Sequence, residues 1–205
     1  MRAMLRRYHI IAIVALTAAA MLVSFTVLHY VTRGPEVYSL GEAQVGGPFT
    51  LTDQSGQRVS DSDFAGRYML VAFGYTFCPD VCPAELQVMS AALDKLGSAG
   101  EKIVPIFITI DPARDSVAIL AQYMPNFHPR FVGLTGSPEE IAAVAGAYRV
   151  YSAKAEGWQE AGEDYLMDHS TIIYLMGPDG KFVKHFTYTT DAAGLADDLK
   201  AATGG

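Results

Sequence analysis

Half of the 205 residues are hydrophobic, enough for one well-packed core and too few for two comfortable ones. Residues 33–205 carry 12 of the 15 Lys+Arg and all 22 Asp+Glu, a net charge of −10. That surface repels nucleic acid and anionic lipid headgroups, and no basic run compensates, so a nucleic-acid-binding role is excluded.

At the N-terminus, Arg2, Arg6 and Arg7 precede 19 uncharged residues, Ile10 to Leu28. As a helix rising about 1.5 Å per residue, this stretch nearly crosses a hydrocarbon core of roughly 30 Å. A cleaved signal peptide competes, since Ala18, Ala19 and Ala20 are small, but the apolar run continues well past them. The preferred reading is an uncleaved anchor that holds the N-terminus in the cytoplasm and sends the rest outside. A bacterial inner membrane with a periplasmic domain is the simplest placement. The expected organisation is a cytoplasmic tip and transmembrane anchor over 1–32, a glycine- and proline-interrupted tether over 33–48, and a domain over 49–205.

In the domain, FTLTDQSGQRVS predicts a hairpin turning at Ser55-Gly56, and YMLVAFGY a buried strand ending at Tyr75. Leu86, Met89, Leu93 and Leu96 lie at helical spacing after the cysteines. KIVPIFITI is the next strand and DSVAILAQYM a helix capped by Asp115 or Ser116. RFVGLTG predicts a short strand, and SPEEIAAVAGAYRV a helix capped by Ser137 with Pro138 first. HSTIIYLM and KFVKHF are strands joined by the GPDG turn, and a last helix covers about Asp191 to Ala201. The segment 152–167, with the lone Trp158, fits neither period and reads as an inserted loop or weak hairpin. Strands separated by crossover helices, with an antiparallel hairpin at the end, make an α/β domain with a mixed sheet flanked by helices.

Both cysteines fall in FGYTFCPDVCPAEL. As a staple the pair is poor, because closing about five residues removes only roughly 2 kcal/mol of unfolded-state entropy. On a regular helix, Cβ atoms four residues apart are also about 5–6 Å from each other, against about 3.5–4.5 Å in a disulfide. Pro83 lacks an N–H and suits the first helical position, which places Cys82 near the N-cap and Cys78 on the loop before it. The positive helix end lowers a thiol pKa there, so both sulfurs are expected to be reactive. Two adjacent thiolates suit a soft ion, Cu(I) or zinc, which needs a third ligand. His9 and His29 belong to the membrane segment or its edges, and His128 and His185 read as surface or edge residues. His169 differs, because it stands directly ahead of a buried strand.

FGYTFCPDVCPAEL, then ITIDPARDS, NFHPRFVGLTG and DYLMDHSTIIYLMGPDG, in this order, resemble the Sco/SenC copper-delivery family over about residues 40–200. The resemblance implies a thioredoxin-like fold anchored by one N-terminal helix. It implies that Cys78, Cys82 and His169 bind one copper ion as Cu(I) or Cu(II). It further implies a metallochaperone role in maturing the copper-A centre of cytochrome c oxidase, by handing over copper, by reducing that site's cysteines, or both. The partners would be the copper-A-bearing subunit, a copper donor and an extracytoplasmic thiol reductase. Three ligands leave room for an incoming thiolate, so transfer by ligand exchange follows. Asp168 is a candidate to orient the imidazole, or else a solvated carboxylate. Asp111 and Pro112 read as turn formers, and Tyr75 and Phe77 as walls of the site.

A membrane-anchored thiol–disulfide oxidoreductase is the alternative, with Cys78 and Cys82 as its redox pair. Thioredoxin-like reductases, however, carry CxxC and a cis-proline facing it, whereas the spacing here is CxxxC and no proline lies between Asp168 and Leu175. A peroxiredoxin-like peroxidase is weaker, since the threonine expected three residues ahead of the reactive cysteine is Tyr75. Catalytic zinc with Cys₂His and water is chemically allowed.

Overall fold

The computed structural model describes residues 16–28, 45–157 and 164–204, and divides into two units, Met1–Ala43 and Gln44–Gly205. In the first unit, helix α1 covers residues 16–28, with Leu16, Met21, Leu22 and Phe25 exposed. Among the described residues no helix is long and apolar enough to cross a membrane. Residues 10–15 of the expected span lie outside the described residues, as do His9, His29, Trp158 and positions 33–44 of the expected tether.

The second unit begins with an antiparallel hairpin, β1 (Thr50–Asp53) and β2 (Arg58–Ser60). Gly56 takes φ +85° at its corner, a conformation that costs a glycine little, and the Asp53 carboxylate accepts the Ser55 and Gln57 amides. Then follow β3 (Tyr68–Gly74), α2 (Val81–Leu96), β4 (Ile103–Thr109), α3 (Val117–Tyr123), β5 (Val132–Thr135) and α4 (Pro138–Ala147). Both later helix starts are capped as expected: Ser116 accepts the Ile119 amide, and Ser137 forms a reciprocal box with Glu140. The chain ends with β6 (Ser152–Lys154), β7 (Met167–His169), β8 (Ile172–Met176), β9 (Phe182–Thr187) and α5 (Ala192–Thr203).

Seven strands form one sheet in the order β2-β1-β5-β4-β3-β8-β9. β3, β4 and β5 are parallel, and β1, β2, β8 and β9 join antiparallel, so the mixed α/β reading holds. The continuous apolar run of β3 resolves into two faces at period two. Val71 and Phe73 pack with Ile106, Ile108, Val144 and Tyr148, while Leu70 and Ala72 pack with Leu86, Met89, Phe107 and Leu199. Leu86, Met89 and Leu93 of α2 are completely buried there, each contributing roughly 1.5–3 kcal/mol.

Two expectations need correction. The strand predicted over 169–176 is broken: His169 ends β7, which pairs with β6 in a separate two-stranded sheet, and β8 starts at Ile172. The irregular segment thus contributes the weak hairpin rather than a structureless loop. The cysteine helix also starts earlier, with Asp80 as N-cap, Cys82 second in the helix and Pro83 third. Proline is tolerated there because the first-turn amides have no intrahelical acceptor.

Candidate metal and thiol site

The parallel sheet brings its loops to one edge. β3 delivers the cysteine loop there, and β4 delivers Asp111–Ser116 beside it. β8 runs antiparallel to β3 with Ala72 opposite Ile173, so the residues just before β8 return to the C-terminal end of β3. That register places His169 over the cysteines, 87 residues from Cys82 in sequence.

Cys82 Sγ lies 3.3 Å from His169 Nε2. His169 Nδ1 lies 3.0 Å from the Ser170 carbonyl oxygen, which can only accept. Nδ1 therefore carries a proton, which leaves Nε2 as the ring atom that faces the sulfurs. Asp168, exposed on the opposite face of β7, does not orient the ring.

Neither cysteine is in a disulfide; Cys82 is buried at 1% exposure and Cys78 is half-buried. The Cys82 amide donates to Cys78 Sγ at 3.4 Å, so a sulfur fills the place of an N-cap oxygen that Asp80 leaves open. Hydrogen bonding from Cys82, with help from His169, pulls the Cys78 pKa down, and the same interaction together with burial pushes Cys82 up. Ionisation of the pair is therefore favoured at Cys78 and disfavoured at Cys82. Burial favours a neutral His169, but the bonds to Cys78 and the Ser170 carbonyl prevail and raise its pKa. Gly74 is required beneath the pair: a Cβ there would stand 2.9 Å from Cys82 Sγ and 3.0 Å from Phe107.

Among the described residues no three Cys, His, Asp or Glu side chains form a ready-made coordination cage. The thiol, thiolate and imidazole nevertheless converge, and such donors fit a soft ion once Cys82 loses its proton. His128 lies elsewhere, near Asp94 and Arg130, and His185 stacks on Phe182 of β9. Tyr75 is buried, with its ring edge-on to His169 at 6.1 Å, and its hydroxyl accepts the Met167 amide. Phe77 is 51% exposed, with the Arg114 guanidinium over its ring.

Sequence reasoning missed two features. Glu85, one turn beyond Cys82, is 6% exposed, and its Oε1 is buried without a hydrogen-bond partner. Burial drives its pKa up to about 7, with His169 opposing and Cys78 adding. Its spacing was a usable signal, since position 85 falls on the same helical face as Cys82, Leu86 and Met89. A cavity of about 170 Å³ borders this helix end, lined in part by Asp80, Val81 and Glu85 and by none of the three ligand candidates. The second feature is the loop after β4. Asp115, fully buried, accepts the Thr76 amide at 3.0 Å and the hydroxyls of Thr76 and Thr109. Asp111 bonds Arg114 and Tyr165, so the expectation of mere turn formation is too small.

A family profile described as SCO1/SenC matches residues 38–204. The chain belongs to the SCO1/SenC family. SCO1/SenC relatives include the mitochondrial SCO1 homolog 1 of Arabidopsis thaliana, 46% identical over 170 residues, covering 82% of this chain and 49% of that protein. The mitochondrial SCO1 homolog of Homo sapiens is 46% identical over 149 residues, covering 72% and 49%. The chain thus spans about half the length of these curated relatives. Among solved structures, Arabidopsis thaliana ScoI with copper bound aligns at TM-score 0.71 and 44% identity, covering 77% of this chain and 97% of that one. Bradyrhizobium japonicum ScoI with copper bound gives 0.71 and 44%, covering 77% and 99%.

Proposed function

We propose that this chain is a copper metallochaperone that holds one ion, as Cu(I) or Cu(II), between Cys78, Cys82 and His169 and serves assembly of the copper-A centre of cytochrome c oxidase. The observation that carries the reading is the approach of His169 Nε2 to Cys82 Sγ, with Nδ1 tied to a carbonyl. Family membership and the copper-bound relatives support the metal. A further relative, BsSco, is described as a member of the Sco family of cytochrome c oxidase assembly proteins, which supports the process.

Copper is the cargo, and the residues divide the work of holding it. Cys78, half-buried and ionised, is the first sulfur an incoming ion or partner thiolate meets. Cys82 gives up its proton on loading, so uptake releases acid. His169, held at Nδ1 by the Ser170 carbonyl, offers Nε2 and ligates as the neutral imidazole, adding no charge. With both thiolates engaged, Cu(I) leaves the site at −1 and Cu(II) at zero, so either oxidation state is within reach. The copper-A-bearing subunit is the acceptor, and a copper donor and an extracytoplasmic thiol reductase act upstream.

The anchor over residues 10–28 and a periplasmic domain belong to the same proposal. Carbonate washing should leave the full chain in the membrane fraction and release a chain lacking residues 1–32. Release of both ends the anchor reading.

The second reading, thiol–disulfide reduction, is favoured by one observation: a half-buried Cys78 sulfur that accepts a first-turn helix amide, beside a buried Cys82, is the arrangement of a dithiol reductant. An anaerobic Cu(I) titration of the full chain against a chromogenic competitor, with His169→Ala alongside, separates the two. One copper per chain, weakened at least about tenfold (1.4 kcal/mol) in the variant, is expected. Equal affinity removes His169 from the site and transfers the function to the reductase.

A further inference from the structure

The loop after β4 ties together the two segments that carry the ligand candidates. Arg114 is its centre. The guanidinium pairs through Nε with Asp111 Oδ2, and Nη1 donates to the Tyr165 carbonyl at 2.8 Å. Its Cζ lies 3.6 Å from the centroid of the Tyr165 ring, 4.7 Å from that of Phe77 and 5.6 Å from that of Tyr75. Tyr165 closes the circuit, because its hydroxyl donates to Asp111 Oδ1 at 2.7 Å.

Each contact lies on a path to a ligand. Tyr165 is two residues ahead of β7, whose last residue is His169. Phe77 adjoins Cys78, and Tyr75 accepts the Met167 amide while facing the His169 ring. One planar cation therefore touches the cysteine loop on one side and the histidine segment on the other. The task needs a guanidinium: lysine would keep the charge but lose the fork and the flat face that stacks on rings.

We propose that Arg114 is a positioning residue for copper binding, which, through Asp111 and Tyr165, fixes the segment bearing His169 at the distance from Cys78 and Cys82 that a shared ion requires. This rests on the copper reading of those three ligands. A preset histidine spares the cost of ordering it when the ion arrives. Without Arg114 the two sulfurs remain, and the imidazole joins them at a cost.

The test is a double-mutant cycle on Cu(I) affinity in the full chain, with Arg114→Ala, His169→Ala and the double variant, each checked for folding by circular dichroism. Arg114→Ala is expected to weaken Cu(I) at least about tenfold and to alter the Cu(II)–thiolate absorption band. The double variant should bind no more weakly than His169→Ala, because Arg114 acts through that ring. Arg114→Lys, which preserves the charge should the alanine variant fail to fold, is expected to restore neither affinity nor band. Additive losses, full affinity in Arg114→Ala, or rescue by Arg114→Lys each overturn the proposal. Wild-type affinity indifferent to His169 overturns it together with the copper reading, whereas additivity with a working His169 overturns it alone.

Discussion

The backbone amide of Cys82 points at the sulfur of Cys78, 3.4 Å away, so one cysteine of the pair caps the helix on which the other sits. The cap works best with a charged acceptor, and an amide of the first helical turn stabilises an anion, so the two effects reinforce each other. A sequence motif that looks symmetric becomes, in three dimensions, one thiolate and one thiol.

This asymmetry predicts the chemistry of the metal-free protein. Iodoacetamide at pH 6 should alkylate Cys78 at least about tenfold faster than Cys82, although an ordinary thiol with a pKa of about 8.5 is almost wholly protonated there. Peptide mapping by mass spectrometry reads the ratio. Equal labelling of the two cysteines would remove the thiolate assignment.

Glu85 predicts a pH effect on stability. Its folded pKa, raised by burial to about 7, exceeds the unfolded carboxyl value, so the folded state binds the extra proton between them. Stability from this group is complete below the unfolded value and falls as pH rises toward 7. Glu85→Gln keeps the shape without the charge. It should gain on the order of 2–3 kcal/mol over wild type on going from pH 4 to pH 8, measured by urea denaturation of the metal-free protein. An unchanged difference across that range would show that the carboxyl is solvated.

Gly74 predicts the opposite sign. Its added methyl group in Gly74→Ala meets Cys82 Sγ and Phe107 within 3.0 Å, and a packed core yields little. The substitution should cost about 1–3 kcal/mol in urea and displace the Cys82 sulfur, weakening Cu(I) binding as well. A stability within about 0.5 kcal/mol of wild type would mean that the floor of the site relaxes freely.

The central strands were legible because each is a short apolar run bounded by turn residues, and Ser116 and Ser137 marked their helices by local chemistry alone. The cysteines were legible through the flanking prolines, although Pro83 sits third in the helix rather than first. The break at Ser170 and Thr171 was hidden, since an apolar run does not reveal which sheet its ends join. The Asp111–Arg114–Tyr165 cluster was beyond local reading. Asp111 and Tyr165 are 54 residues apart and meet only once β4 and the segment before β7 reach the same edge. Glu85 lay between these cases, its position on the buried face readable and its missing partner not.

β7 belongs to a two-stranded sheet of its own, while Cys82 is rooted in a helix packed on the seven-stranded one. The two sides of the site therefore differ in how readily they come apart. Lifting the imidazole side means parting the three-residue pairing with β6 and the bonds of Tyr165 and Met167 to Asp111, Arg114 and Tyr75, whereas moving Cys82 means unpacking Leu86 and Met89 from the core. The site behaves as a latch with a fixed jaw of sulfur and a hinged jaw of imidazole, and its release need not cost the stability of the domain.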